Sequence, residues 1–114
     1  MSRTIRDYLE DILKAINAVE DFISGLDYNR FATDQKTIFA VSRAIEIIGE
    51  ASKQIPSQIK EQYPHIPWQE IARMRDKMIH HYFGINLKIL WNTASKDLPA
   101  LKPIIQEIIA NLNE

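Results

Sequence analysis

No cysteine occurs among the 114 residues, which excludes a disulfide framework, a thiolate zinc site and a thiol nucleophile. A cysteine-free chain is compatible with a reducing compartment, and cytoplasm is the expected location. Neither the opening Met-Ser-Arg-Thr-Ile-Arg-Asp nor any later stretch has an apolar run of signal-peptide or membrane-spanning length, so secretion and membrane insertion are not expected. A large excess of one charge is missing too. A net charge of −1 with 25% charged and 46% hydrophobic residues describes a globular domain rather than a disordered tail or a nucleic-acid-coating protein. Any polyanion site must therefore be local. Sustained period-two alternation, internal repeats, low-complexity segments and Gly-rich loops are also absent, which argues against strands and against a glycine cradle for phosphate.

What is present is helical spacing in a chain long enough for one core and too short for two, so residues 1–114 are expected to form a single domain. Ile5, Leu9, Ile12, Ile16, Val19 and Ile23 trace one stripe, and Gly25 suits its end. Asp27 to Ala32 is expected as a loop. Thr33 or Asp34 can cap a second helix whose apolar and small positions, from Ile38 through Val41, Ala44, Ile45 and Ile48 to Ala51, cover most of its girth, so it should be central. Its polar stripe is Arg43, Glu46, Glu50 and Lys53, either a solvated salt-bridged face or a source of the acid for a site. Pro56, Pro64 and Pro67 punctuate a connection with one short helix over 57–63. Pro67 suits the first turn of the next helix, which Gly84 would end. Asn86 can cap a helix bearing Leu87, Leu90, Trp91 and Ala94, and Pro99 precedes a last one with Leu101, Ile104, Ile105, Ile108 and Leu112 inward. The expectation is an all-α antiparallel bundle of four long helices and one or two short ones.

Chemistry concentrates in Arg75-Asp76-Lys77-Met78-Ile79-His80-His81-Tyr82, within the most basic part of the chain. At about 100° per residue, Trp68, Ile71, Ala72, Met74, Met78, Ile79, Tyr82 and Phe83 share an apolar arc, with Asp76, Lys77, His80 and His81 on the opposite one. Arg75 falls in the apolar arc, where an unpaired guanidinium is costly, so it must meet an acid, a ligand or a wet interface. Glu46 or Glu50 is the candidate acid. A guanidinium stays charged at neutral pH, and its donor fork suits phosphate or the charge developing at phosphorus. The His80 imidazole titrates near neutrality and can move protons in metal-free RNA cleavage. Asp76, four residues earlier on the same face, could orient it. A charged surface without catalytic work accounts for the same spacing. Adjacent His80 and His81 point about 100° apart and no His-x-x-x-His occurs, so no metal site is expected.

The Arg-x4-His-x-Tyr pattern of RDKMIHHY, with RAIEIIGEASKQIP before it and LKILWNTASKDLPALKP after it, resembles HEPN-domain proteins, specifically HepT-like toxins paired with a minimal nucleotidyltransferase (MNT) antitoxin. The resemblance runs over nearly the whole chain. It implies a homodimeric helical bundle and a metal-independent endoribonuclease without a cofactor, the toxin of a type VII HEPN/MNT toxin–antitoxin system acting on tRNA or mRNA. By position, Arg75 and His80 would be the catalytic pair, Asp76 and Glu46 supporting residues, and Tyr82 the tyrosine to which the antitoxin transfers AMP. His81 departs from many relatives, which carry a smaller residue there. Two other readings fit the same residues: a non-catalytic helical interaction module, and a nucleotide-binding regulator in which Arg75 holds a phosphate without cleavage.

The helical wheel adds a geometric condition. Arg75 and Tyr82 share one stripe, whereas Asp76 and His80 lie about 100° to 140° away. A straight helix cannot focus Arg75 and His80 on one atom, so either the helix loosens before Gly84 or a two-fold dimer collects stripes from both copies. The dimer is the favoured expectation.

Overall fold

The computed structural model describes residues 2–80 and 86–112, with the side chains of residues 77–80 outside the description. All regular structure among the described residues is helical, and no helix there is long and apolar enough to cross a membrane. Four helices carry the bundle: α1 (Ile5–Ile23), α3 (Gln35–Lys53), α5 (Trp68–His80) and α7 (Leu98–Ala110). The shorter α2 (Tyr28–Ala32), α4 (Ser57–Gln62) and α6 (Leu87–Asn92) link them. α3 lies between α1 and α5, and α1 lies between α3 and α7.

Local sequence accounts for each boundary. A reciprocal capping box starts α1: the Asp7 N–H donates to Thr4 Oγ1 at 3.1 Å and the Thr4 N–H donates to the Asp7 carboxylate at 2.9 Å. Leu9, Ile12, Ile16 and Val19 are completely buried, as the stripe requires. α1 ends at Ser24, and Gly25 follows at φ 77°, a left-handed conformation that glycine adopts without a Cβ clash. The expected loop over 27–32 is instead helical. Asp27 caps it by accepting from the Arg30 N–H at 2.9 Å, and a fully buried Phe31 anchors it with its ring centroid 5.2 Å from that of Trp91. Five residues are too few to display a period, so a long-range aromatic contact decides their conformation.

Of the two candidate caps for α3, Asp34 serves, accepting from the Thr37 N–H at 3.1 Å and its hydroxyl at 2.7 Å. Val41, Ala44, Ile45, Ile48, Gly49, Ala51 and Ser52 are buried on this central helix, while Phe39 is exposed. Ile55, Ile66 and Trp68 seal the connection to α5, and Trp68 Nε1 donates to the Tyr63 carbonyl at 3.2 Å. The end of α5 and the expected stop at Gly84 lie outside the described residues.

Asn86 caps α6 through the Lys88 and Ile89 N–H groups. Pro99 does not separate two helices as expected. α6 runs into a π-helical turn at Thr93–Asp97 and then directly into α7, with the Leu98 N–H bonded to the Thr93 carbonyl. Proline lacks an N–H and its ring crowds the carbonyl four residues earlier, and the wider π turn accommodates that demand without ending the rod.

Candidate functional site

The site is built where α1, α3 and α5 meet, around a cleft of about 200 Å³ lined by Tyr8, Asp11, Arg43, Glu46, Ile47, Glu50, Ala51 and Arg75. Arg75 enters from α5 across the backbone of α3 at Gly49. A Cβ placed on Gly49 would lie 2.2 Å from Arg75 Cβ and 2.8 Å from its Cγ, so only glycine allows this approach. An isolated glycine within a strong helical pattern is the sequence signal for such a contact. It went unread in the sequence.

Beyond its stem, the Arg75 guanidinium is bracketed. Nη2 lies 2.9 Å from Glu50 Oε2 and Nη1 lies 3.2 Å from Asp76 Oδ1, while Nε is buried with no hydrogen-bond partner among the described residues. Asp76 Oδ1 also accepts from Lys53 Nζ at 2.8 Å. The result is a chain of alternating charge, Glu50, Arg75, Asp76, Lys53, whose two ends both stand on α3, one turn apart. The Lys53 hydrogen bond first, then that of Arg75, holds the Asp76 carboxyl below its ordinary value of 3.8. Asp76 is therefore an anion at neutral pH and acts only as an acceptor.

Four expectations meet this geometry. Arg75 does find an acid, and the acid is Glu50. Glu46 sits one turn earlier, where it pairs with Arg43 at 3.1 Å and lines the same cleft without reaching the guanidinium. The polar stripe of α3 is thus divided: Arg43 and Glu46 pair along the helix, whereas Glu50 and Lys53 cross to α5. Asp76 joins Arg75 to Lys53 through Oδ1, and its expected contact with His80 involves a side chain outside the described residues. The His80 side chain lies outside the described residues, as do His81 and Tyr82 altogether. On the far wall Asp11 is ion-paired with Arg3, whose guanidinium lies 5.1 Å from the Tyr8 ring centroid. Tyr8 and Asp11 had no part in the sequence-based site because α1 reads simply as an amphipathic helix. Among the described residues no group of three or more His, Asp or Glu is arranged to hold a metal ion.

An all-α bundle that holds an arginine in a charge-bracketed cleft fits the HEPN class of helical proteins that the Arg-x4-His-x-Tyr sequence led one to expect. Comparison with known proteins makes this specific: a family model described as Ribonuclease HepT-like matches residues 12–108. A protein of Thermococcus cleftensis named "Probable ribonuclease HepT" is 54% identical over 102 residues, covering 90% of this chain and 93% of that protein. "Putative RNase MJ0125" of Methanocaldococcus jannaschii is 43% identical over 112 residues, covering 98% and 97%. No solved structure matches significantly. The chain belongs to the ribonuclease HepT-like family.

Proposed function

We propose that this chain is a metal-independent endoribonuclease, the toxin of a type VII HEPN/MNT pair, working as a homodimer and silenced by AMP transfer to Tyr82. The observation that carries the reading is the bracketed Arg75. Its guanidinium is held at a cleft with one acidic partner on each Nη among the described residues, on the helix that leads to His80. A ribonuclease name on relatives that match over more than nine-tenths of their length supports the substrate class.

Cleavage needs no redox group. The substrate 2′-oxygen attacks the adjacent phosphorus, the P–O5′ bond breaks, and the products are a 2′,3′-cyclic phosphate and a 5′-hydroxyl. His80 takes the 2′-hydroxyl proton, and an imidazolium returns one to the departing 5′-oxygen. Arg75 stabilises the extra charge on the phosphoryl oxygens. Because helical spacing assigns Arg75 and His80 to different stripes, the two-fold dimer brings the groups together across a shared cleft. AMP on Tyr82 would place bulk and a negative phosphodiester beside that cleft and repel the RNA backbone.

The decisive assay incubates purified protein with tRNA and mRNA in the presence of a chelator, wild type against His80→Ala. A loss of roughly 10² or more is expected, and full cleavage by the variant sinks the assignment. Intact-mass measurement after co-expression with the nucleotidyltransferase tests the regulation. The absence of AMP-sized increments on Tyr82 removes that claim. The pairing of Arg75 with two acids also favours a second reading, a structural ion-pair strut in a non-catalytic module, for which wild-type protein would leave every RNA intact.

A further inference from the structure

We infer that Glu50 is the positioning residue for Arg75, holding the guanidinium in the orientation from which it meets the scissile phosphate; the inference rests on the ribonuclease reading for its kinetic arm only. Arg75 has two acidic partners, and they are not equivalent. Asp76 is its neighbour on the same helix, so a contact at 3.2 Å travels with α5 and fixes nothing relative to the cleft wall. Glu50 stands on α3, and its 2.9 Å contact with Nη2 is the direct described tie between the guanidinium and that wall. Lys53, one turn further along α3, completes the frame through Asp76 at 2.8 Å.

The stem cannot do this work. With Arg75 Cβ and Cγ pressed on Gly49, the position of the side chain's base is set, but the outer torsions remain free. The buried Nε has no partner among the described residues, so none of them adds a hydrogen bond there to the orientation. A fork that must present two donors to a phosphate is sensitive to rotation, and the Glu50 carboxylate removes that freedom. Glu50 is also 54% exposed at the cleft mouth, so its charge repels an approaching polyanion. Orientation and attraction therefore pull in opposite directions at this residue. A purely structural acid would not show that separation.

Two variants separate the effects. Glu50→Gln keeps an acceptor oxygen opposite Nη2 and loses the charge; Glu50→Ala loses both. For RNA cleavage, Glu50→Ala is expected to lower kcat by roughly 10- to 100-fold, the range typical of partners that orient a reacting group. Its KM should not rise, since one negative charge has left the cleft. Glu50→Gln should keep most of the wild-type kcat. Wild-type kcat in Glu50→Ala, or equal losses in both variants, would overturn the inference.

A second measurement is independent of turnover. In 15N spectra of the arginine side chains, a held Arg75 should show slow rotation about its Nε–Cζ bond and resolved Nη signals, identified by their loss in Arg75→Lys. Glu50→Ala should bring them to the averaged behaviour of the exposed Arg30 and Arg73. If Arg75 rotates freely in the wild type, the positioning role fails even where RNA is cut. If it is held by Glu50 and no RNA is cut, the ribonuclease reading fails and the positioning of Arg75 stands.

Discussion

Replacing Gly49 by alanine puts the close approach of α3 and α5 under direct test. The new Cβ would meet Arg75 Cβ at 2.2 Å and the Ile71 carbonyl oxygen at 3.2 Å. The first distance falls roughly 1.3–1.8 Å short of the ~3.5–4.0 Å at which carbon atoms pack. Rotamer changes cannot relieve a Cβ–Cβ clash, because neither atom moves with χ1, so α5 must shift away from α3. Overpacking of this kind costs about 1–3 kcal/mol, and the site belongs at the upper end. Against it stands a gain of about 1 kcal/mol for alanine over glycine within a helix. A net loss of about 1–2 kcal/mol remains, or a Tm lower by about 4–8 °C for a chain of this size. Thermal and urea unfolding should be compared at one protein concentration, since self-association would shift both. The mechanism makes a sharper demand in the double mutants: Arg75→Ala should not rescue Gly49→Ala, because the Cβ remains, whereas Arg75→Gly should. Displacing α5 by about 1 Å should also reduce RNA cleavage by on the order of 10². An unchanged or raised Tm in Gly49→Ala would refute the close approach on which the site is built.

Arg75→Lys keeps a charge but loses the fork between Glu50 and Asp76, so RNA cleavage should fall by at least ~10-fold with little change in unfolding; wild-type turnover would deny the guanidinium its role. Phe31→Ala empties the fully buried position against Trp91 and should destabilise by about 3–5 kcal/mol, read from urea midpoints. Retention of wild-type stability would mean that α2 is not anchored there. Acid should weaken the fold through Asp7, Asp34 and Asp76, whose carboxyls are all held below the ordinary 3.8 by hydrogen bonds, from Thr4, Thr37 and Lys53 first in each case. A depressed folded-state value gives stability that is complete above the ordinary value and is lost as pH falls through 3.8 and below. Asp34→Asn should flatten that part of the pH–stability curve, and an unaltered slope would remove its cap from the account.

Much of the fold can be read along the chain because its signals are local. The buried stripe of α1, the turn at Gly25, the Asp34 and Asn86 caps and the inward residues of α7 each follow from spacing within a few turns of helix. The failures have two causes, a distant contact and a local change of helical register. α2 exists because Phe31 meets Trp91, sixty positions away, and a five-residue segment carries no period to announce it. The rod from α6 to α7 survives Pro99 because a π turn absorbs the proline, a register change that no hydrophobic pattern reports.

The same division runs through the site. Sequence alone determined that Arg75 falls on an apolar arc and must find a partner there, since helical geometry and the cost of burying an unpaired guanidinium are both local arguments. Tertiary structure chose the partner. Glu46 and Glu50 are equivalent by spacing, and only the crossing of α3 and α5 at Gly49 puts Glu50 within 2.9 Å while leaving Glu46 to Arg43. The same crossing carries Lys53 to Asp76 and makes one frame of four charges. A helix specifies which residues share a face, but which of them meet the neighbouring helix depends on where two backbones can come closest, and here a missing Cβ sets that point.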